Sequence, residues 1–578
     1  MKFKIFLSAL LFLFSYDGLY ACTNLIVTNG ASTDGSNMIT YAADSHRRYG
    51  YLFHYPAMVY PEGAMTDIYH YEHGKYLGQI PQVRQTYSVI GMSNEYGVAI
   101  GETTFGGLKE LYEQKDAILD YGSLMKLALQ RSKTAREAIK VINDLVQEYG
   151  YLTSGESFSI SDPNEVWIME MIGKGEHEKG AVWVARRVPD GYVSGHANQA
   201  RITTFDYQKR NKWDNLKQNT FNSPDVISFA KKIGVYEGKD EDFSFSDVYA
   251  PLDFGGVRFC DARVWSFFRR VSKDIRESER YSEYATGKIL FEDKFPDGRA
   301  NPNNFPTNRL PLWVKPDEKV SLADVKEAMR DYFQGTALDM TQDMGAGPFD
   351  LPYRWRPLTF EVDGEKYCNE RAIATQQTGY SFVAQSRPNM PRQLGNIFWF
   401  GVDDTRGTVY TPMYCGITDI PESFKQSSGS FIEWSDKSAF WAFNLVNNWS
   451  YTRYNLIYPE VKAYQQAFEE NFRKETADLE KELMPVFELN PQVGIQKLTE
   501  YSVNAGDDLV EDWKVFFQYL FMKYMDGNVK KTEDMKILDN GNGQGIPFDP
   551  DQPGYGEEWY QKLIKETGDK FKMIESQK

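Results

Sequence analysis

Cysteine is nearly absent from this chain: 578 residues hold four, Cys22, Cys260, Cys368 and Cys415. A disulfide-stapled secreted fold would be far denser in them. None sits in a C-x-x-C pair, so there is no zinc ribbon. Histidine is almost as sparse. All six lie between His46 and His196, and "YHYEHGKY" offers His70 and His73 without an H-E-x-x-H pattern or a third ligand at helical spacing. They read as solvated loop residues, and no metal site is expected. Positive charge is in deficit: 65 Lys and Arg against 81 Asp and Glu give a net −16, which argues against nucleic acid as a partner. Long apolar runs are missing as well. The run from Ile5 to Phe14 falls far short of the roughly 20 residues that span a bilayer, and no later stretch reaches that length, so no transmembrane anchor is expected. No G-x-G-x-x-G follows a strand, and "GKGEHEKG" lacks the spacing of a phosphate-binding loop, which argues against a nucleotide-binding fold.

What is present begins with an export signal over residues 1–21: Lys2 and Lys4, the apolar run, then small Ala21. The mature chain is expected to start at Cys22, in the periplasm or outside the cell. From there the pattern is β-rich. "CTNLIVT" and "NMITYAAD" read as a hairpin closed by the turn "STDGS", and "TYSVIGMSNEYGVAIGETTF" repeats the plan. An apolar stripe predicts a helical segment over 121–149. "ESFSISDPNEVWIMEMI" and "AVWVARRVPDGYVSGHAN" read as two further hairpins, with Asp-Pro-Asn and Pro-Asp-Gly turns. Residues 211–316 look mixed and loop-rich, Ser321 caps a helix at "SLADVKEAMRDYF", and 436–526 is mainly helical. Strands and helices in blocks indicate α+β with antiparallel sheets. One large domain with insertions over 22–435, carrying a helical region 436–578, fits better than a string of modules.

Cys22 poses the functional question. "GLYAC" partly suits lipid attachment, with bulky Tyr20 the misfit, and a surface lipoprotein binding glycans or peptides is the rival reading. A lipid-bearing cysteine normally leads into a flexible tether, whereas Thr23 to Val27 enters a strand at once. That rigidity suits a reacting group. Cleavage after Ala21 would also free an α-amine, whose pKa near 8 lets it take the thiol proton, so one residue supplies nucleophile and base. His196 is then not needed for a Cys-His dyad and reads as structural.

The segments "CTNLIVTNGASTDGSNMITYAAD", "NEYGVAIGETT", "HANQARI", "LPLWVKPDEKVSLADVKEAMRDYFQGTALDM" and "SFVAQSRPNMPRQLGNIFWFGVDD" run in order from Cys22 to Asp404. In this the chain resembles the secreted cysteine dipeptidases of the N-terminal-nucleophile hydrolase superfamily, relatives of the secernins, and more distantly the choloylglycine hydrolases and penicillin V acylases. The resemblance implies an αββα sandwich and hydrolysis of an amide bond, in most members that of a dipeptide, without metal or organic cofactor. It implies Cys22 as nucleophile, Asp44 as the aspartate beside it that holds the ammonium, and Asn198 as an oxyanion-hole donor. Thr103 and Thr104 in "GETT" match the strand end lining the acyl pocket, and Arg201 is a candidate for a substrate carboxylate. Tyr41, also a substrate-side candidate, stands where the family commonly has an arginine three residues before the aspartate; Arg47 or Arg48 is a candidate replacement cation. An acylase of bile-acid or β-lactam amides is the rival within the fold. The expected partner is a short peptide, and homo-oligomerisation is left open.

Overall fold

The computed structural model describes residues 22–574, so the export signal read in residues 1–21 lies outside the described residues. Six strands position the site: β1 (Asn24–Val27), β2 (Asn37–Asp44), β3 (Ala99–Gly106), β4 (Gly155–Ser161), β5 (Val193–His196) and β6 (Thr378–Ser386). In a seven-stranded antiparallel sheet β5, β1, β2 and β6 lie side by side, while β3 and β4 are neighbours in an eight-stranded one. The sheets face each other, with β2 against β3 and β4. Helices α1 (Tyr121–Arg131) and α2 (Ala135–Tyr149) cover the eight-stranded sheet. Helix α3 (Ala262–Val271) packs on β5, and α4 (Ala439–Thr452), α5 (Tyr454–Leu489) and α6 (Pro491–Tyr524) pack on the far edge of the seven-stranded sheet. The chain is therefore α+β, with helices outside two facing antiparallel sheets.

The apolar run of β1 explains why the described chain starts rigidly. Leu25, Ile26 and Val27 have no exposed surface, and each contributes about 1.5–3 kcal/mol relative to leaving it in water. Thr23 is already bridged to Ala42 of β2, whose N–H donates to its carbonyl at 3.1 Å.

Two expectations are corrected. The helical segment over 121–149 is two helices, because Thr134 accepts a hydrogen bond from the Glu137 N–H and starts a new one. "AVWVARRVPDGYVSGHAN" is not a hairpin. Ala181–Arg187 belongs to the eight-stranded sheet and β5 to the seven-stranded one, so Pro-Asp-Gly carries the chain between layers. Pairing of β5 with β1, Val193 opposite Val27 and His196 opposite Asn24, outcompetes local closure. Residues 211–316 are mixed and loop-rich as expected, and within them a π-helical turn at Gly256–Asp261 runs straight into α3. Arg263 of α3 is a fully buried charge.

The C-terminal helices are tied to the sheets by polar as well as apolar contacts. Asp403, just past the strand at Asn396–Val402, accepts from Asn444 Nδ2 at 3.0 Å and Asn447 Nδ2 at 2.7 Å on α4. Arg330 pairs with Glu469 of α5 at 2.6 Å. All four cysteines are free thiols, and no described helix is long and apolar enough to cross a membrane.

Candidate active site around Cys22

Cys22 lies two residues before β1 and is almost fully buried. Its Sγ lies 3.5 Å from Tyr41 Oη on β2 and 3.6 Å from Glu102 Oε1 on β3. Tyr41 Oη donates to the same Glu102 oxygen at 2.5 Å, closing a three-membered cluster. Asn24 Nδ2 donates to the Glu102 carbonyl at 2.6 Å and pins β3 to β1 there. Burial first, then the Glu102 and Asp44 carboxylates, push the Cys22 thiol well above its ordinary range, against hydrogen bonds from Tyr41 and the Asp44 backbone. The surroundings thus favour the protonated thiol over the thiolate.

Asn198 reaches the cluster through Arg263. The Arg263 guanidinium, fully buried in α3, donates to five acceptors: the Phe259 carbonyl (2.8 Å), the Cys22 carbonyl (2.6 Å), Thr23 Oγ1 (2.8 Å), the Ala197 carbonyl (3.2 Å) and Asn198 Oδ1 (2.9 Å). One planar group therefore clamps the Cys22 backbone to the candidate oxyanion donor. Asn198 Nδ2 donates one proton to the Thr104 carbonyl at 2.7 Å, and the amide has a second. With Oδ1 held by Arg263, the orientation of the amide is set. Asn198 has φ of 59°, a left-handed conformation that asparagine adopts more readily than most residues. Burial, then the nearby Arg371 charge, lower Arg263 to about 10, so it stays a cation at neutral pH.

Asp44 lies at the end of β2 with no exposed surface. Arg371 Nη2 donates to its Oδ2 at 2.5 Å and Thr378 Oγ1 to its Oδ1 at 2.6 Å. Its carboxylate is thus partnered by a guanidinium, and its backbone hydrogen-bonds the Cys22 sulfur.

The remaining candidates divide. Thr103 Oγ1 meets His196 Nδ1 at 2.7 Å, and His196 Nε2 meets Ser159 Oγ at 2.7 Å, so the imidazole bridges the facing sheets. Burial, then the Arg201 charge, lower His196 to about 3, which leaves the ring neutral. Thr104 donates to Glu156 at 3.0 and 3.1 Å on the opposite face of β3. The Arg201 guanidinium is buried and donates to the Gly195 carbonyl at 2.5 Å and the Pro311 carbonyl at 2.6 Å, with Asp261 at 3.6 Å. Those partners occupy it within the fold. Arg48, weighed as a replacement cation, pairs instead with Glu72 and lies over the Tyr71 ring; Arg263 is the cation that contacts Cys22. Beside Asn198, a cleft of about 180 Å³ is lined by Phe105, Gln199, Asp253 and Phe259 among others.

Sequence reasoning missed Arg263 and Glu102. The signal for both was a charged residue inside an apolar run, "ARVWSFF" and "VAIGETT", since charges are almost never fully buried unless paired. Among the described residues no group of three or more His, Cys, Asp or Glu is placed to hold a metal ion.

The comparisons agree with one another. The chain matches Peptidase family C69 over residues 21–467. It is 24% identical to a "Probable dipeptidase" of Salmonella dublin over 69% of this chain and 81% of that protein. It is 23% identical to a "Probable dipeptidase" of Latilactobacillus sakei over 80% and 88%, and 22% identical to a "Probable dipeptidase B" of Streptococcus pyogenes serotype M1 over 84% and 90%.

Proposed function

Because the chain belongs to peptidase family C69, we propose that it hydrolyses the peptide bond of dipeptides with Cys22 as nucleophile. The observation that carries this reading is the Arg263 clamp, which joins the Cys22 carbonyl to the Asn198 amide and so couples a thiol to an oxyanion donor. The names of the relatives supply the substrate class.

Export and cleavage after Ala21 leave Cys22 with a free α-amine. The α-amine takes the thiol proton as sulfur attacks the scissile carbonyl, Asn198 Nδ2 hydrogen-bonds the developing oxyanion through its second N–H, and the departing nitrogen takes the proton as the C–N bond breaks and the thioester forms. Water then attacks the thioester, with the α-amine as its base, and releases the acid. Asp44 supplies the negative charge that keeps an ammonium stable at this position between proton transfers.

Two measurements test the reading. The mature N-terminus is read by mass spectrometry: an unmodified Cys22 supports it, and a diacylglyceryl mass on Cys22 replaces it with a lipoprotein. Wild type and Cys22→Ala are then assayed on dipeptides and on N-acyl amides. Dipeptide turnover that vanishes in Cys22→Ala is the expected result. Turnover confined to acyl amides would turn the assignment to an acylase.

A further inference from the structure

On the Asp44 side of the site a recess is lined by Arg354, Trp355, Arg356, Glu370, Arg371 and Gln376 among others. Its charges are accounted for one by one. Arg371 pairs with Asp44, Arg354 with Asp343, and Glu370 with Arg258 of the π-helical turn, each at 2.5 Å. Arg356 is the exception. Its Nε and Nη2 donate to the neutral Gln377 Oε1 at 3.1 and 2.6 Å, and among the described residues no carboxylate lies within ion-pair distance of it.

A short chain of hydrogen bonds ties this guanidinium to the thiol. Gln377, which receives Arg356, donates from Nε2 to the Asp44 carbonyl at 3.4 Å, and the Asp44 backbone hydrogen-bonds the Cys22 sulfur. Arg356 is exposed at the recess mouth. Partial burial, then the Arg371 charge, lower it to about 10, so it stays a cation at neutral pH. Three guanidiniums, Arg263, Arg356 and Arg371, thus surround the one carboxylate of Asp44, a local positive excess in a chain of net charge −16. The other side of the site has the opposite sign. Asp253 is the one charged side chain lining the cleft beside Asn198. The π-helical turn that lines this cleft with Gly256, Phe259 and Cys260 also carries Arg258, whose pair with Glu370 joins the two recesses at one mouth.

We propose that Arg356 is a substrate-binding residue that reads the free C-terminal carboxylate of the dipeptide, whose first residue lies in the cleft beside Asn198 and whose second points to the arginine recess. This rests on the reading of the chain as a dipeptidase with Cys22 as nucleophile. A zwitterionic dipeptide has its ammonium on the first residue and its carboxylate on the second, which matches the sign of charge on each side. The other two guanidiniums are already committed, Arg371 to Asp44 and Arg263 to its five acceptors. Arg356 has five N–H groups, and Gln377 takes one from Nε and one from Nη2. The three that remain, one on Nη2 and two on Nη1, form the end of the fork, which holds a carboxylate through two parallel hydrogen bonds. Selection for length follows. A peptide with a third residue, or with an amidated terminus, presents a neutral amide at this point and forgoes the charge-assisted pair.

The test uses the mature enzyme and one dipeptide in two forms, free acid and C-terminal amide, cleaved at the same bond. Initial rates are compared for wild type, Arg356→Gln, Arg356→Lys and Cys22→Ala. Wild type is expected to favour the acid by about 10–100-fold in kcat/KM, the range of a charge-assisted pair. Arg356→Gln is expected to raise KM for the acid by about that factor with kcat within threefold, because the lost contact is made equally in ground and transition states. Its turnover of the amide is expected to stay within threefold of wild type, which also reports an intact fold, and Arg356→Lys is expected to keep part of the preference. Equal losses on acid and amide mean that Arg356 only supports Gln377 and its loop, and overturn the proposal. So does a wild type that shows no preference, or an Arg356→Gln that retains it. With an inactive Cys22→Ala, those outcomes remove only the role of Arg356. A Cys22→Ala that still cleaves dipeptides, or a wild type that cleaves neither form, removes the underlying reading and this proposal with it.

Discussion

Arg263 is the residue on which the geometry of the site depends, and Arg263→Lys measures that dependence. Lysine keeps the positive charge but has three donors at a single point, against five in a fork. At least two of the five acceptors now served by the guanidinium lose their partner in a buried setting. At about 1–3 kcal/mol for each buried acceptor left unsatisfied, the cost to folding is about 2–6 kcal/mol. Unfolding entropy of about 2.1 cal/mol/K per residue makes about 1.2 kcal/mol/K for a chain of 578 residues, so the Tm falls only about 2–5 °C. The effect on catalysis is disproportionate. Without the clamp, Asn198 Oδ1 and the Cys22 carbonyl are no longer held in one frame, and losing one oriented oxyanion donor costs about 10²–10³ in kcat. The assay is differential scanning calorimetry beside steady-state kinetics on a dipeptide. Asn198→Ala and the double variant are run in parallel, because groups that act as a unit give non-additive losses. A kcat/KM within fivefold of wild type would refute the clamp, as would activity lost only in step with the folded fraction.

Asn198→Ala alone is expected to lower kcat about 10²–10³-fold with little change in KM, read from initial rates across a substrate range. For His196 the folded state holds the pKa near 3 and the unfolded state near 6.5, so the unfolded chain binds more protons between those values and stability falls as pH drops. His196→Gln is expected to lose that dependence, up to about 1.4 kcal/mol per pH unit, which denaturant titrations from pH 7 to 4 detect against wild type. Arg330→Ala strands the buried Glu469 on α5; a loss of about 3–5 kcal/mol is expected, seen as a Tm about 3–4 °C lower with kcat unchanged.

The layers were legible wherever one physical signal dominated. "NLIV" and "NMITYAAD" are buried along their whole length, so their apolar character was plain, and Ser321 caps its helix as expected, in a capping box with Asp324. Legibility failed where long-range pairing outweighed local chemistry. Pro-Asp-Gly is good turn chemistry, yet the better partner for β5 was β1, more than 160 residues earlier. It failed again in α3, where a guanidinium sits fully buried among aromatic side chains.

The site shows the same division, and it clarifies the tyrosine at position 41. An arginine was expected there as a neighbour to the sulfur, and its absence looked like a missing charge. In three dimensions a buried guanidinium stands beside Cys22 all the same, delivered by α3 from position 263 to the backbone side of the residue. That leaves the thiol side to Tyr41, which donates to Glu102 without neutralising it. An arginine at position 41 would pair with Glu102 and neutralise its charge. Tyrosine and glutamate are thus consistent as a pair, and neither is informative alone. No spacing rule links residues 61 apart in sequence on strands of different sheets, so this part of the chemistry becomes visible only when the two sheets are packed face to face.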